Sequence, residues 1–169
     1  MIKIGNSVSN ISVYSYQPKT KEELRQIICD RISKEGTNCD LNDIDTSKIT
    51  DMSYLFVKIE FNGDISRWDV SNVENMEDMF SYSIFNSDLS RWDISKVINM
   101  SGMFFRSEFN GDISDWGVSN VKDMSYMFYC SKFNGDISDW KINKDCNTEG
   151  MFTGCKIKEE FKPKSLQKK

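Results

Sequence analysis

From Thr37 onward the apolar positions of the chain recur every 24 residues. Phe61, Ile65, Trp68, Val70, Val73, Met76, Met79 and Phe80 set a phrase that restarts at Phe85, Phe109 and Phe133. A fainter copy precedes it, with Leu41, Ile49, Met52, Leu55 and Phe56 in register, so that five copies cover 37–156. One copy is too thin to bury its own apolar edge, and a fixed period of this size is the mark of a stacked-repeat array. Two spacings coexist within a copy. Trp68 and Val70 are two apart and share one side of a short strand, leaving Arg67, Asp69 and Ser71 on the other. Met76, Met79 and Phe80 follow Val73 by three, six and seven residues, the face of a helical turn. The expected architecture is an α+β solenoid: a leucine-rich-repeat-like, right-handed stack of five coils, each a short parallel strand plus a helical turn.

Two segments flank the array. Residues 1–36 are expected to hold a hairpin between Ile2–Ile4 and Val8–Tyr16, then a capping helix. Thr20 and Glu23 form a capping box, and Leu24, Ile27, Ile28 and Ile32 fall on one helical face. Gly36 stops the helix, with Lys34 in its last turn. This amphipathic helix is expected to cover the open end of the first coil. At the other end Asp145 and Thr148 replace the Val and Met of earlier copies, as a terminal repeat requires. The basic segment 157–169 is expected to be frayed or loosely docked.

Two polar columns never vary: Asn38, Asn62, Asn86, Asn110, Asn134 and Asp40, Asp64, Asp88, Asp112, Asp136. Stacked carboxylates repel unless each is satisfied locally, so the Asp column is read as turn capping, with calcium ligation as the functional alternative. The Asn column is read as an amide ladder.

Composition narrows the chemistry. The chain has no histidine, which removes imidazole catalysis and most zinc sites. No catalytic set, metal site or cofactor is expected. Its five cysteines form no CxxC pair and are odd in number, which argues for free thiols. No apolar run is long enough to span a membrane, and no secretory leader is visible, so a cytoplasmic location is expected. The net charge is −4, but residues 156–169 hold six Lys against two Glu, so the remaining 155 carry −8. Such an acidic body suits a basic protein partner, and direct nucleic-acid binding is not expected.

The phrases Phe109-Asn110-Gly111-Asp112-Ile113-Ser114-Asp115-Trp116 and Val121-Lys122-Asp123-Met124-Ser125-Tyr126-Met127-Phe128 resemble the BspA-type leucine-rich repeat family, bacterial and Mycoplasma-type. Asp40 to Met52 shares the resemblance, and Pro18 to Gly36 is similar to the helix that leads into such arrays. The resemblance implies a binding solenoid, common in bacterial surface proteins, and supplies no catalytic residues.

Core columns are fixed by packing, so a partner must be read by the columns that vary. On the strand face these are Arg67, Asp69, Arg91, Asp93, Asp115, Asp139 and Lys141. On the ridge after each helical turn they are Tyr54, Tyr82, Phe105, Arg106, Tyr126 and Tyr129. The expected function is a non-enzymatic protein-protein interaction module. It would act as an intracellular binder or inhibitor, one form being an acidic inhibitor of a nucleic-acid-processing host enzyme. The alternative is a surface or secreted adhesin of the BspA-like type.

Overall fold

The computed structural model describes residues 14–167. The hairpin expected at 2–16 falls almost entirely outside them. Its last residues lie against the first repeat, where Tyr16 makes a parallel bridge to Ile44 and Asp45 N–H donates to Tyr16 O at 2.8 Å.

The lead-in helix α1 (Lys21–Glu35) begins and ends where its caps stand. Thr20 Oγ1 accepts from Glu23 N–H at 3.2 Å, and the Glu23 carboxylate reaches back to Lys19 N–H at 2.6 Å. Leu24 and Ile28 are fully buried against the first repeat, with Ile27 and Ile32 partly so.

Each 24-residue repeat hydrogen-bonds to its neighbours, but the ladder runs along a different segment from the one expected. The parallel bridges join Asp51, Asn75, Asn99, Asp123 and Asn147 in succession. From there Met52, Tyr54, Phe56 and Lys58 send their N–H groups to Asn75, Glu77, Met79 and Ser81 O of the next repeat, at 2.8–3.2 Å. The same alternation repeats through Cys130 N–H to Thr153 O. The N–H groups in between close β-turns inside the repeat, such as Leu55 to Met52 O and Ile59 to Phe56 O.

The helical turn expected here is therefore absent, and two columns of left-handed residues take its place. These are Tyr54, Asp78, Gly102, Tyr126 and Gly150 in the first, and Lys58, Tyr82, Arg106, Cys130 and Gly154 in the second, with φ between 50° and 70°. Each stands third in its β-turn, the position where a type II turn needs positive φ. A lone helix of this length is marginal in water, whereas a ladder shared with two neighbours is cooperative. Conversely, Trp68–Val70 carries the expected alternation of buried and exposed side chains but no ladder. Its backbone turns instead, with Trp68 N–H on Ile65 O at 3.1 Å and Val73 N–H on Val70 O at 2.9 Å.

The core is two files of Phe rings and a column of indoles. Phe56, Phe80, Phe104, Phe128 and Phe152 stack at 5.3–5.8 Å with near-parallel planes. The first four of these rings also stack on the first Phe of the following repeat, as Phe104 does on Phe109 at 4.3 Å. Trp68, Trp92, Trp116 and Trp140 are 4% exposed, and each indole N–H donates to a carbonyl of the preceding repeat, Leu41, Ile65, Leu89 and Ile113, at 2.9–3.2 Å. A buried indole needs such an acceptor, and here the acceptor fixes the register between repeats.

The segment after Lys156 is docked rather than frayed. Ile157 is buried, Ile137 N–H donates to Phe161 O at 2.9 Å, and Lys158 N–H reaches Asn134 Oδ1 at 3.0 Å. It packs as half of a further repeat, because Ile157 takes the place that Phe133 holds one period earlier.

Candidate functional site

The invariant polar columns close turns. Asp40, Asp64, Asp88, Asp112 and Asp136 each accept, through Oδ1, the backbone N–H two residues on, at 2.8–3.0 Å. That donor, followed by the serine side chain, holds the carboxyls of Asp88 and Asp112 below the usual carboxylate range. Among the described residues no group of three or more His, Cys, Asp or Glu is placed to share a metal ion. The Asn column is a ladder of another kind than expected. Asn62, Asn86 and Asn110 Oδ1 accept the backbone N–H of Asn86, Asn110 and Asn134, each at 2.7 Å, so side chain meets main chain instead of amide meeting amide.

The strand-face candidates are exposed but do not converge. Asp69 and Asp93 spend Oδ1 on the N–H of Ser71 and Ser95, at 3.0 Å each, instead of pairing with Arg67 and Arg91. Arg67 reaches Asp40 across one repeat at 3.9 Å, with both side chains mostly in solvent. Asp139 is held by Lys164 of the docked terminal segment at 2.6 Å. Asp115 lies with Asp139 in a shallow acidic hollow, and Lys141 is exposed beyond it. These are screened surface contacts of small energy.

The ridge candidates do converge. Tyr82, Phe105, Tyr129 and Tyr126 form an unbroken chain of ring contacts, at 5.4, 4.9 and 5.9 Å. Arg106 lies over Tyr82 and Phe105, with Cζ 5.8 Å from each centroid, and Lys58 Nζ lies 5.4 Å from the Tyr82 centroid. Tyr54, Tyr82 and Tyr126 remain 45%, 46% and 39% exposed, and Ile84 47%. The Tyr126 hydroxyl donates to Glu149 Oε1 at 3.0 Å, and Tyr54 bonds Glu77 in the same way. That bond, before burial, pushes the Tyr54 phenol up to about 12.

A cleft of about 370 Å³ opens in the strip between Tyr54 and Tyr126. Asp78 and Gly102 form part of its lining, and column reading did not single them out. The signal was present: the position that is Tyr in the first and fourth copies is Asp in the second and Gly in the third.

These features define a repeat protein whose exposed ladder segment carries an aromatic strip. The chain belongs to the family described as Mycoplasma protein of unknown function, DUF285, whose model matches residues 28–108 and again 82–164. No curated protein and no solved structure matches it. Among the described residues no helix is long and apolar enough to cross a membrane.

Proposed function

We propose that the chain is a non-enzymatic protein-interaction module, a leucine-rich-repeat-like solenoid of the BspA type that binds through its aromatic strip. The observation that carries this reading is the exposure of Tyr54, Tyr82 and Tyr126 around one cleft, with Tyr54 and Tyr126 at the same position of the first and fourth repeats and Tyr82 from the neighbouring column. Tyrosine and arginine are enriched at interface hot spots, tyrosine because it buries large area at low entropic cost and arginine because its planar fork is pre-organised for several hydrogen bonds, and Arg106 stands among these rings. The −8 carried by the first 155 residues favours a basic partner and would speed its encounter.

The test is photo-crosslinking in an extract of the native cell, with benzoylphenylalanine placed at Tyr82 or, separately, at Arg91. The strip position is expected to give one discrete adduct and the strand-face position none. Adducts from Arg91 alone, or from neither position, overturn the reading.

A further inference from the structure

The cleft in the strip has a chemistry narrower than aromatic contact. Part of its lining is Gly102, whose φ is +62° and where a side-chain carbon would fall 2.4 Å from Asp78 Oδ1. The Asp78 carboxylate thus lies over bare backbone, with the tyrosine rings on either side. Among the described residues six carboxylates have cationic partners, as Asp43 has Arg31, Asp51 has Lys21 and Asp139 has Lys164, and the others, Asp88 and Asp112 among them, have none. Among the described residues Asp78 has no ion pair within 4.0 Å. Burial, and then the charge of Glu77, push its carboxyl upward against the help of Ser81. An arriving cation would not undo the burial, but its charge would favour the ionised carboxylate and offset both causes.

The walls limit what that cation can be. Lys58, which lines the cleft, and Arg106 already hold cationic groups over Tyr82, which shows that these rings take positive charge and also repels a run of basic residues more than a single one. One flat, weakly hydrated guanidinium on a long apolar stem fits best, since it can fork onto a carboxylate while its methylenes lie along rings. We propose that this cleft is the specificity pocket of the interaction strip and receives a single arginine side chain of the partner, its guanidinium on Asp78 and its stem against Phe105 and Tyr126.

The proposal rests on the reading of the strip as the binding face, and two experiments separate their failures. In the first, the ¹⁵N-labelled full chain is titrated with acetyl-Gly-Arg-Gly-amide and with its citrulline counterpart, which has nearly the same shape and no charge. The arginine peptide is expected to shift the amides of Asp78, Gly102 and Tyr126, and the citrulline peptide to bind at least about tenfold more weakly. Asp78→Asn should abolish the difference; asparagine tolerates a left-handed backbone, so the variant keeps the fold. Equal shifts from the two peptides, unchanged arginine binding by Asp78→Asn, or no shift at Asp78 and Gly102 overturns the pocket. In the second, Asp78→Asn is introduced into the protein crosslinked from Tyr82. A tenfold loss of adduct supports the pocket. Undiminished adduct sinks the pocket and leaves the strip standing, whereas absence of adduct from the unsubstituted protein removes the strip itself.

Discussion

The two ends of the repeat array are chemically opposite, and the contrast exposes a direction in the ladder. Through the paired β-turns, from Met52 to Lys58 and the matching residues, the inter-repeat backbone bonds run from an N–H of one repeat to a carbonyl of the next, and only the flanking bonds run back, such as Glu74 N–H to Thr50 O at 2.8 Å and Glu108 N–H to Ser83 O at 3.0 Å. The first repeat therefore presents bare carbonyls, and the last presents bare N–H groups. At the first end α1 supplies cations. Arg25 Nη1 donates to Tyr54 O at 2.7 Å and Leu55 O at 3.2 Å, Lys21 Nζ reaches Asp51 and Ser53 at 2.7 and 2.9 Å, and Arg31 bonds Asp40 O and Asp43, each at 2.8 Å. At the last end the half repeat covers Phe133 and Ile137, but among the described residues nothing accepts from Gly150, Phe152 or Gly154 N–H. An end cap thus has to match the polarity of the ladder as well as its apolar face.

Core substitutions should separate the ends most. Ile28→Ala, at a fully buried site of α1, is expected to cost about 2–5 kcal/mol in urea unfolding. Phe161→Ala, half-buried at the other end, should cost less than about 2 kcal/mol. The reverse ranking would break the contrast. Next comes Arg31→Met, which removes charged hydrogen bonds to Asp43 and to Asp40 O and is expected to cost about 1.5–3 kcal/mol by the same measurement.

Hydrogen exchange sharpens the directional claim without any substitution. The amides of Phe80, Tyr82 and Phe104, bonded into the next repeat, should exchange far more slowly than those of Gly150, Phe152 and Gly154. Comparable rates in the two sets would mean that the ladder is not what orders this segment.

The smallest effect is in pH. Burial raises the carboxyls of Asp43 and Asp51, but hydrogen bonds from Arg31 and Lys21, with other donors, outweigh it and leave both below the usual range. A carboxyl depressed in the folded state contributes stability above its unfolded value, about 3.9, and loses it as pH falls through the folded value. The melting temperature should therefore fall below about pH 4, and less so in Asp43→Asn. Both side chains are a third or more exposed, so each contribution is under about 1 kcal/mol.

Much of the site was legible in the chain because deviation from a periodic background is informative. Tyr82, Phe105, Arg106 and Tyr129 stand out as variable neighbours of fixed Phe columns, and the structure brings them into contact. Asp78 and Gly102 escaped because neither residue is unusual alone; only a left-handed backbone and two adjacent repeats turn them into a floor. The strand-face residues were equally variable but are dispersed by local turns, which claim Asp69 and Asp93 for backbone donors.

By itself the sequence determined the period, the membership of each buried column and the position of the capping helix, since burial of Phe, Trp and Met is a property of spacing. Tertiary structure decided which segment carries the ladder. An apolar pattern of three, six and seven is satisfied equally by a helical turn and by linked β-turns, and the choice depends on whether a backbone N–H finds its acceptor within its own repeat or in the next one. That decision also set the polarity of the two ends and opened the cleft over Gly102.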